Sequence, residues 1–276
     1  MNFVECPIPK TVGIRALYTA FEAHFDKNYS FVGETHDFWE IVFVLDGSLG
    51  VCAGNQVLTL GSGDAILHEP MEFHRLWSEN ETSPSIIVIT FSGNMPKITK
   101  KIFELPESEL EAVKKIFSAI IKSYERNSLV IKNPVAHKKY EAELCVREFE
   151  CLILRLINEH TKAKLTVNAN HSKSALTYVD VVRFLENHVD ADLSVDDIAA
   201  GCNMSRSNLK KIFTKYSGIG VMKYFNMLKI RQAENYLKTG MSVGEVAAKL
   251  GYCDQNYFST VFKKIAGCSP SEYTGR

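Results

Sequence analysis

The chain reads FKKIAGCSPSEYTGR over residues 262–276 and FTKYSGIGVMKY over residues 213–224. In both, a Phe, a Gly and a Tyr are separated by four and then five residues: Phe213, Gly218, Tyr224 and Phe262, Gly267, Tyr273. The likeness extends upstream. VDDIAA at 195–200 matches VGEVAA at 243–248 with an offset of 48, which becomes 49 where Leu209 matches Phe258. One residue has been added in the turn of the second copy. Each copy therefore predicts a short helix with small alanines, a tight turn, and a second helix with apolar residues four apart. Ala199 and Ala247 let two helices cross closely. Cys202-Asn203-Met204 and Gly251-Tyr252-Cys253 supply the turns, and Ser205 and Asp254 suit the N-cap of the helix that follows.

This is the grammar of a helix-turn-helix. The competing interpretation is a helical solenoid, which stacks units of 30–45 residues and usually needs at least three. Here two copies are spaced by one helical stretch, VMKYFNMLKIRQAENYLKTG at 221–240. A helix of that size is about 25–30 Å long, and successive major-groove faces of B-DNA lie about 34 Å apart. One chain can offer two recognition helices to one face of a duplex, so DNA reading is preferred.

The string Gly-Tyr…Asp-Gln-x-Tyr-Phe-Ser…Phe-Lys-Lys…Gly…Ser-Pro-x-Glu-Tyr from 251 to 273 makes residues 175–276 resemble the DNA-binding domain of the AraC/XylS family of bacterial transcription regulators. The resemblance implies two helix-turn-helix motifs joined by a long helix, each sending its second helix into the major groove. Carried over by position, the first reading helix is 205–215, with Arg206, Ser207, Lys210 and Lys211 outward and Leu209, Ile212 and Phe213 in the core. The second is 254–264, with Gln255, Asn256, Ser259, Thr260 and Lys263 outward and Phe258, Val261 and Phe262 in the core. Gln and Asn pair with adenine edges, and Lys reaches guanine or phosphate. About half of these groups should meet only phosphate or solvent. Family members often carry Arg where this chain has Lys211 and Thr260.

From 30 to 93 the sequence runs in short apolar stretches broken by Asp46-Gly47, Gly54-Asn55 and Gly61-Ser62-Gly63-Asp64. That pattern predicts an antiparallel barrel or sandwich. ETHDFWEIVFVLDG and GDAILHEPMEFHRL, with His36, Glu40, Gly47, Gly63-Asp64 and His74, resemble the cupin barrel over roughly 15–95. Many AraC-type regulators carry such a barrel as their effector-sensing half. Metal-binding cupins have a further His where this chain has Glu34. His36, Glu40 and His74, with Glu34 and His68 nearby, are open to three uses: holding a divalent ion, gripping a small hydroxylated effector, or serving structure alone. The expected site is an organic effector pocket of His36, Glu40, His74 and Trp39, with no metal and no cofactor. Trp39 and Trp77 either stack on a sugar ring or pack in the core or rim. His36 and Glu40 are an even number apart, which puts them on one face of a strand and Trp39, Ile41 and Phe43 on the other.

Two amphipathic helices are predicted next, 107–125 and 136–160, with NSLVIKNP between them as a loop. Phe149, Leu152, Ile153 and Leu156 form a wide apolar stripe on the second, which serves either a dimer seam or intrachain packing; the dimer seam is preferred. TKAKLTVNANHSKS at 161–174 is polar and without period, and is expected to be a linker.

Composition agrees with this division. The net charge of zero conceals −6 over residues 1–105, +3 over 106–173 and +3 over 174–276, so only the back of the chain is suited to a polyanion. The seven cysteines form no C-x-x-C pair, which argues against a zinc ribbon or a redox motif. No apolar run is long enough for a membrane span, and no secretory signal is read at the start. The expected architecture is multidomain β + α: an N-terminal cupin-like barrel with packed helices (1–160), a linker (161–174), and a C-terminal all-α domain with two helix-turn-helix motifs (175–276). The expected function is a cytoplasmic transcription regulator, an activator in outline, without catalytic residues. Its expected partners are double-stranded promoter DNA, a small-molecule effector such as a sugar, RNA polymerase and a second copy of the chain. The alternatives are a metal-dependent cupin enzyme with a DNA-binding tail and a constitutive DNA binder whose barrel only dimerises.

Overall fold

The computed structural model describes residues 4–98, 101–160 and 172–274. Its N-terminal part is built on two antiparallel sheets. The strands are β1 Gly13–His24, β2 Trp39–Asp46, β3 Leu49–Ala53, β4 Gln56–Leu60, β5 Asp64–His68, β6 His74–Ser78, β7 Ser85–Asn94, β8 Ile102–Glu104, β9 Tyr124–Asn127 and β10 Val130–Pro134. One sheet has the order β8-β5-β2-β7-β1-β10-β9 and the other β4-β3-β6. Period two in β2 sorts the core. Val42 and Val44 point between the sheets with Val51, Leu58, Ile66, Leu76 and Val88. Ile41 and Phe43 point the other way, onto helices α1 (Glu107–Ser123) and α2 (Lys139–His160). A large sheet lined with apolar groups on both faces needs this second cover, and the helices supply it.

Two expectations are corrected here. The stretch NSLVIKNP is not a loop: Asn127 pairs with Val130 across a two-residue turn at Ser128 and Leu129, and Val130 pairs with Thr19 of β1. Ser128 adopts a left-handed backbone, φ 56°, and Ile131 is buried, so the hairpin extends the sheet with one face inward. The stripe Phe149, Leu152, Ile153 and Leu156 is not a dimer seam. All four are buried within the chain against β1, β7 and α1, with Phe149 packed edge-on to Phe91 at 5.5 Å. The curved outer face of a seven-stranded sheet is broader than one helix covers.

The C-terminal part is all helical: α3 Lys173–Asn187, α4 Val195–Gly201, α5 Arg206–Tyr216, α6 Val221–Lys238, α7 Val243–Lys249, α8 Gln255–Ala266 and α9 Pro270–Thr274. Most of the expected linker, residues 161–171, lies outside the described residues, while Ser172 caps α3 by accepting from the Ala175 amide. The repeated skeleton has a common physical cause. Gly218 and Gly267 both take positive φ, 70° and 78°, and end α5 and α8. That turn brings the Tyr back onto the Phe. Phe213 meets Tyr224 at 5.5 Å and 76°, and Phe262 meets Tyr273 at 5.6 Å and 76°. Ser194 with Asp197 and Ser242 with Glu245 form matching capping boxes at the starts of α4 and α7. Asn203 and Gly251 take the left-handed conformation at equivalent points of the two turns. Ser205 and Asp254 cap α5 and α8 as expected.

Candidate functional site

The barrel interior opens into a cavity of about 540 Å³. Its apolar part is aromatic, with Phe21, Phe25, Phe31 and Phe38 joined by Leu76, Ile86 and Val88. Its polar end holds Glu34, His36, Glu40 and His74, whose ligating atoms all lie within 4.8 Å of one another. Glu40 enters from β2 on the face of Val42 and Val44. His74 begins β6, and Glu34 is tied to it by a backbone bridge in which each amide donates to the other's carbonyl. His36 sits before β2 rather than on it, yet its ring still turns inward, stacked on Phe38 with centroids 3.9 Å apart.

The electrostatics follow from burial. Glu40 is 6% exposed and Glu34 lies at the rim, its side chain 49% exposed. Burial opposes charge on Glu40, but the two imidazoles offset it and hold the carboxyl well below its usual range. Burial also opposes charge on His74, and Glu34 and Glu40 overcome it, lifting this histidine to about 10. His74 thus supplies the positive charge the carboxylates lack. Beneath it lies His68, fully buried and stacked on His74 at 4.3 Å; burial and the neighbouring His74 keep its own pKa low.

Trp39 is not in this cavity. It lies on the helix-facing side of β2, against the core under α1 and α2, as its odd register requires. Trp77 lines a different cleft of about 440 Å³, with Arg75, Lys215 and Tyr216. Of the four residues assigned to the pocket, the fold brings His36, Glu40 and His74 together and leaves Trp39 apart.

The reading helices stand out from the helical part. Arg206, Ser207, Lys210, Lys211, Gln255, Asn256, Thr260 and Lys263 are exposed, and Ser259 is half-buried. Leu209, Phe213, Phe258 and Phe262 are fully buried, while Val261 is only partly covered. Some outward groups are already engaged: Arg206 lies 3.5 Å from Asp196, and the Ser259 and Thr260 hydroxyls donate to the carbonyls of Gln255 and Asn256. Gln255, Asn256, Lys210, Lys211 and Lys263 are the freest of the set to reach a base or phosphate.

Sequence reasoning missed the contacts between the two parts. Arg75, next to His74 on β6, donates to the carbonyls of Thr214 and Lys215 at the C-terminal end of α5, to the Phe31 carbonyl at 2.7 Å and to Ser30 Oγ at 2.7 Å. A cation on the exposed carbonyls of a helix end is favourable. Phe73 packs edge-on to Tyr224 at 5.3 Å, the Tyr224 hydroxyl donates to the Gly54 carbonyl at 3.2 Å, and the Cys52 thiol donates to the Tyr178 hydroxyl at 3.3 Å. On the other side, Glu34 and Thr35 face Thr260 and Lys264 of α8 across a cleft of about 740 Å³. Nothing in a one-dimensional pattern marks Arg75 or Tyr178 as contacts over such separations.

Two family profiles match this chain: an AraC-like ligand-binding domain over residues 18–131 and a helix-turn-helix domain over residues 198–276. The chain belongs to the AraC/XylS family of transcription regulators. It is a regulator with a ligand-binding and a DNA-binding domain. It is similar to the Msm operon regulatory protein of Streptococcus mutans, 27% identical over 90% of this chain and 88% of that one. It is 29% identical to the Arabinose operon regulatory protein of Escherichia coli over 49% of this chain and 45% of that one. Among solved structures, ToxT of Vibrio cholerae is similar over 97% of this chain and 98% of its own at 15% identity, with a TM-score of 0.38. Among the described residues of the regulator, no helix is long and apolar enough to cross a membrane.

Proposed function

We propose that this regulator binds promoter DNA through α5 and α8 under the control of a small effector held at the polar end of the barrel cavity. In this reading residues 1–160 sense and dimerise, 161–174 link, and 175–276 bind DNA. The observation that carries this is the alternation along β6 and the residue before it. His74 turns into the cavity, while Phe73 and Arg75 turn out onto the helical domain, Arg75 onto the end of the first reading helix. Any ligand that pulls on His74 also moves Arg75. The regulator works in the cytoplasm, on double-stranded DNA and with RNA polymerase, and catalyses no reaction of its own.

Arg75→Ala tests the coupling. The variant should keep sequence-specific DNA binding and lose the effector's influence on it, measured by operator titrations with and without ligand. An Arg75→Ala protein that responds as the wild type does removes β6 from the signalling route.

The second copy of the chain is proposed to bind on the outer face of α2 rather than on its buried stripe. Tyr140, Leu144 and Leu154 are 84%, 58% and 41% exposed. With Arg147 and Cys151 they recur at alternating steps of three and four, the spacing of a helix–helix seam.

A further inference from the structure

We propose that the loop joining α3 to α4 is a clasp between the two helix-turn-helix units, closed by Lys229, and that this clasp fixes the spacing of the two DNA half-sites one chain accepts. Lys229 is thereby a positioning residue for DNA recognition that touches no DNA. The proposal rests on the reading that α5 and α8 both enter DNA.

Lys229 stands in the middle of α6 and is 4% exposed. Its ammonium meets one carbonyl and one ring from each unit. From the first, it donates to the Ala191 carbonyl at 2.7 Å and lies 4.9 Å from the centre of the Phe225 ring. From the second, it donates to the Leu250 carbonyl at the end of α7 and lies 5.2 Å from the centre of the Tyr252 ring. Phe225 belongs to the core of the first unit, and Tyr252 packs against the core of the second. The loop itself straddles the two. Leu193 packs on the first core, and Val189, four residues earlier, packs on the second. Gly251 completes the contact from the far side, where a Cβ would stand 2.5 Å from the Asp190 carbonyl oxygen.

A buried ammonium is a costly way to hold helices together, since well-packed apolar side chains of the same size often stabilise as well or better. What the ammonium adds is direction. Two carbonyls from different units must point at one atom, which holds the units at one separation and one tilt. A buried polar group in a helical assembly can set register in this way. Helices also curve and kink, so α6, with 18 residues, does not fix that tilt unaided. Adding one base pair between half-sites turns one of them by about 34° and moves it by about 3.4 Å. Hinged units follow such a change, and clasped units do not.

The test selects sites for the full chain from random DNA. Affinity is then measured for the selected pair of half-sites one helical turn apart, for the same pair with one base pair added or removed, and for one half-site alone. The wild type should lose roughly tenfold or more on either change of spacing. Lys229→Met, apolar and of similar length, should bind the single half-site as the wild type does, yet lose less than about threefold when the spacing changes. Ile198→Val, which loosens the first core away from the clasp, should keep the wild-type preference. Circular dichroism confirms that each variant is folded. If Lys229→Met does not fold, Gly251→Ala takes its place and should relax the spacing from the other side of the contact. A folded clasp variant with the wild-type spacing preference overturns the proposal, and so does equal relaxation in Ile198→Val. A wild type that selects one half-site only overturns instead the reading that α5 and α8 both enter DNA, and the clasp's role in spacing with it.

Discussion

Glu234 shows how far one side chain can be set by its surroundings. It lies on α6, 4% exposed, in the helical domain. Burial lifts its pKa to about 7 and Asp37 adds to the rise, against the opposing pull of Lys238 and Arg231. The folded pKa is above the unfolded one, so between about 4.5 and 7 the native state binds more protons than the unfolded state. Stability therefore falls as pH rises through that window. Glu234→Gln should remove the fall and leave the variant more stable than wild type at pH 8 by roughly 1–3 kcal/mol, with little gain at pH 4.5. Urea denaturation at the two pH values checks it; an equal difference at both would mean the carboxyl is ionised throughout. No local pattern around Glu234 announces this, because Asp37 reaches it from the barrel. His36, Glu40 and His74, by contrast, were legible as a set through the cupin-like motif, although His36 lies before β2 and off the strand whose register was used to pair it with Glu40. The same register excluded Trp39 from the cavity, and applying it strictly would have done so from sequence alone.

Among the secondary-structure elements, α2 separates what periodicity tells from what it does not. Its apolar residues predicted a helix correctly over 136–160, apart from a 3₁₀ turn at Ala136–Lys138. They did not say which apolar face meets the chain's own sheet and which is left outward, because both faces are apolar. The two faces predict opposite outcomes. Leu156→Glu puts a charge into a site 2% exposed and should unfold the N-terminal half. Leu144→Glu should leave the fold intact and yield monomers in sedimentation. Monomers from a folded Leu156→Glu protein, or dimers from Leu144→Glu, would reverse the assignment. The β9–β10 hairpin was illegible for another reason: strands of four and five residues about a two-residue turn carry too little alternation to stand out from a loop. The twin helix-turn-helix units were the most legible elements, since the Phe–Gly–Tyr spacing is a turn geometry written twice.

For the whole molecule, the acidic front and basic back meet in one structure. Lys210, Lys211 and Lys263 are exposed on α5 and α8, while Glu34 and Glu69 of the barrel lie beside the helical domain, Glu69 at 3.7 Å from Arg231. The full chain should bind its operator with a steep loss of affinity as salt rises, and Lys210→Ala should shallow that slope by about one unit while leaving base preference unchanged. Asn256→Ala should instead relax preference at one half of the site, by about 1–3 kcal/mol of discrimination. Footprints across a salt series distinguish the two, and identical behaviour of both variants would misplace the reading faces.

The two-sidedness of the segment from Phe73 to Arg75 also bears on how such a chain can change. On the proposed function, neighbouring residues there serve the ligand and the DNA-binding domain, so a substitution in this segment would alter recognition and transmission together. Lineages adapting to a new signal are therefore freest to vary Phe21, Phe25, Phe31 and Phe38 on the other walls. Those positions can be redrawn while the connection to the reading helix is inherited unchanged.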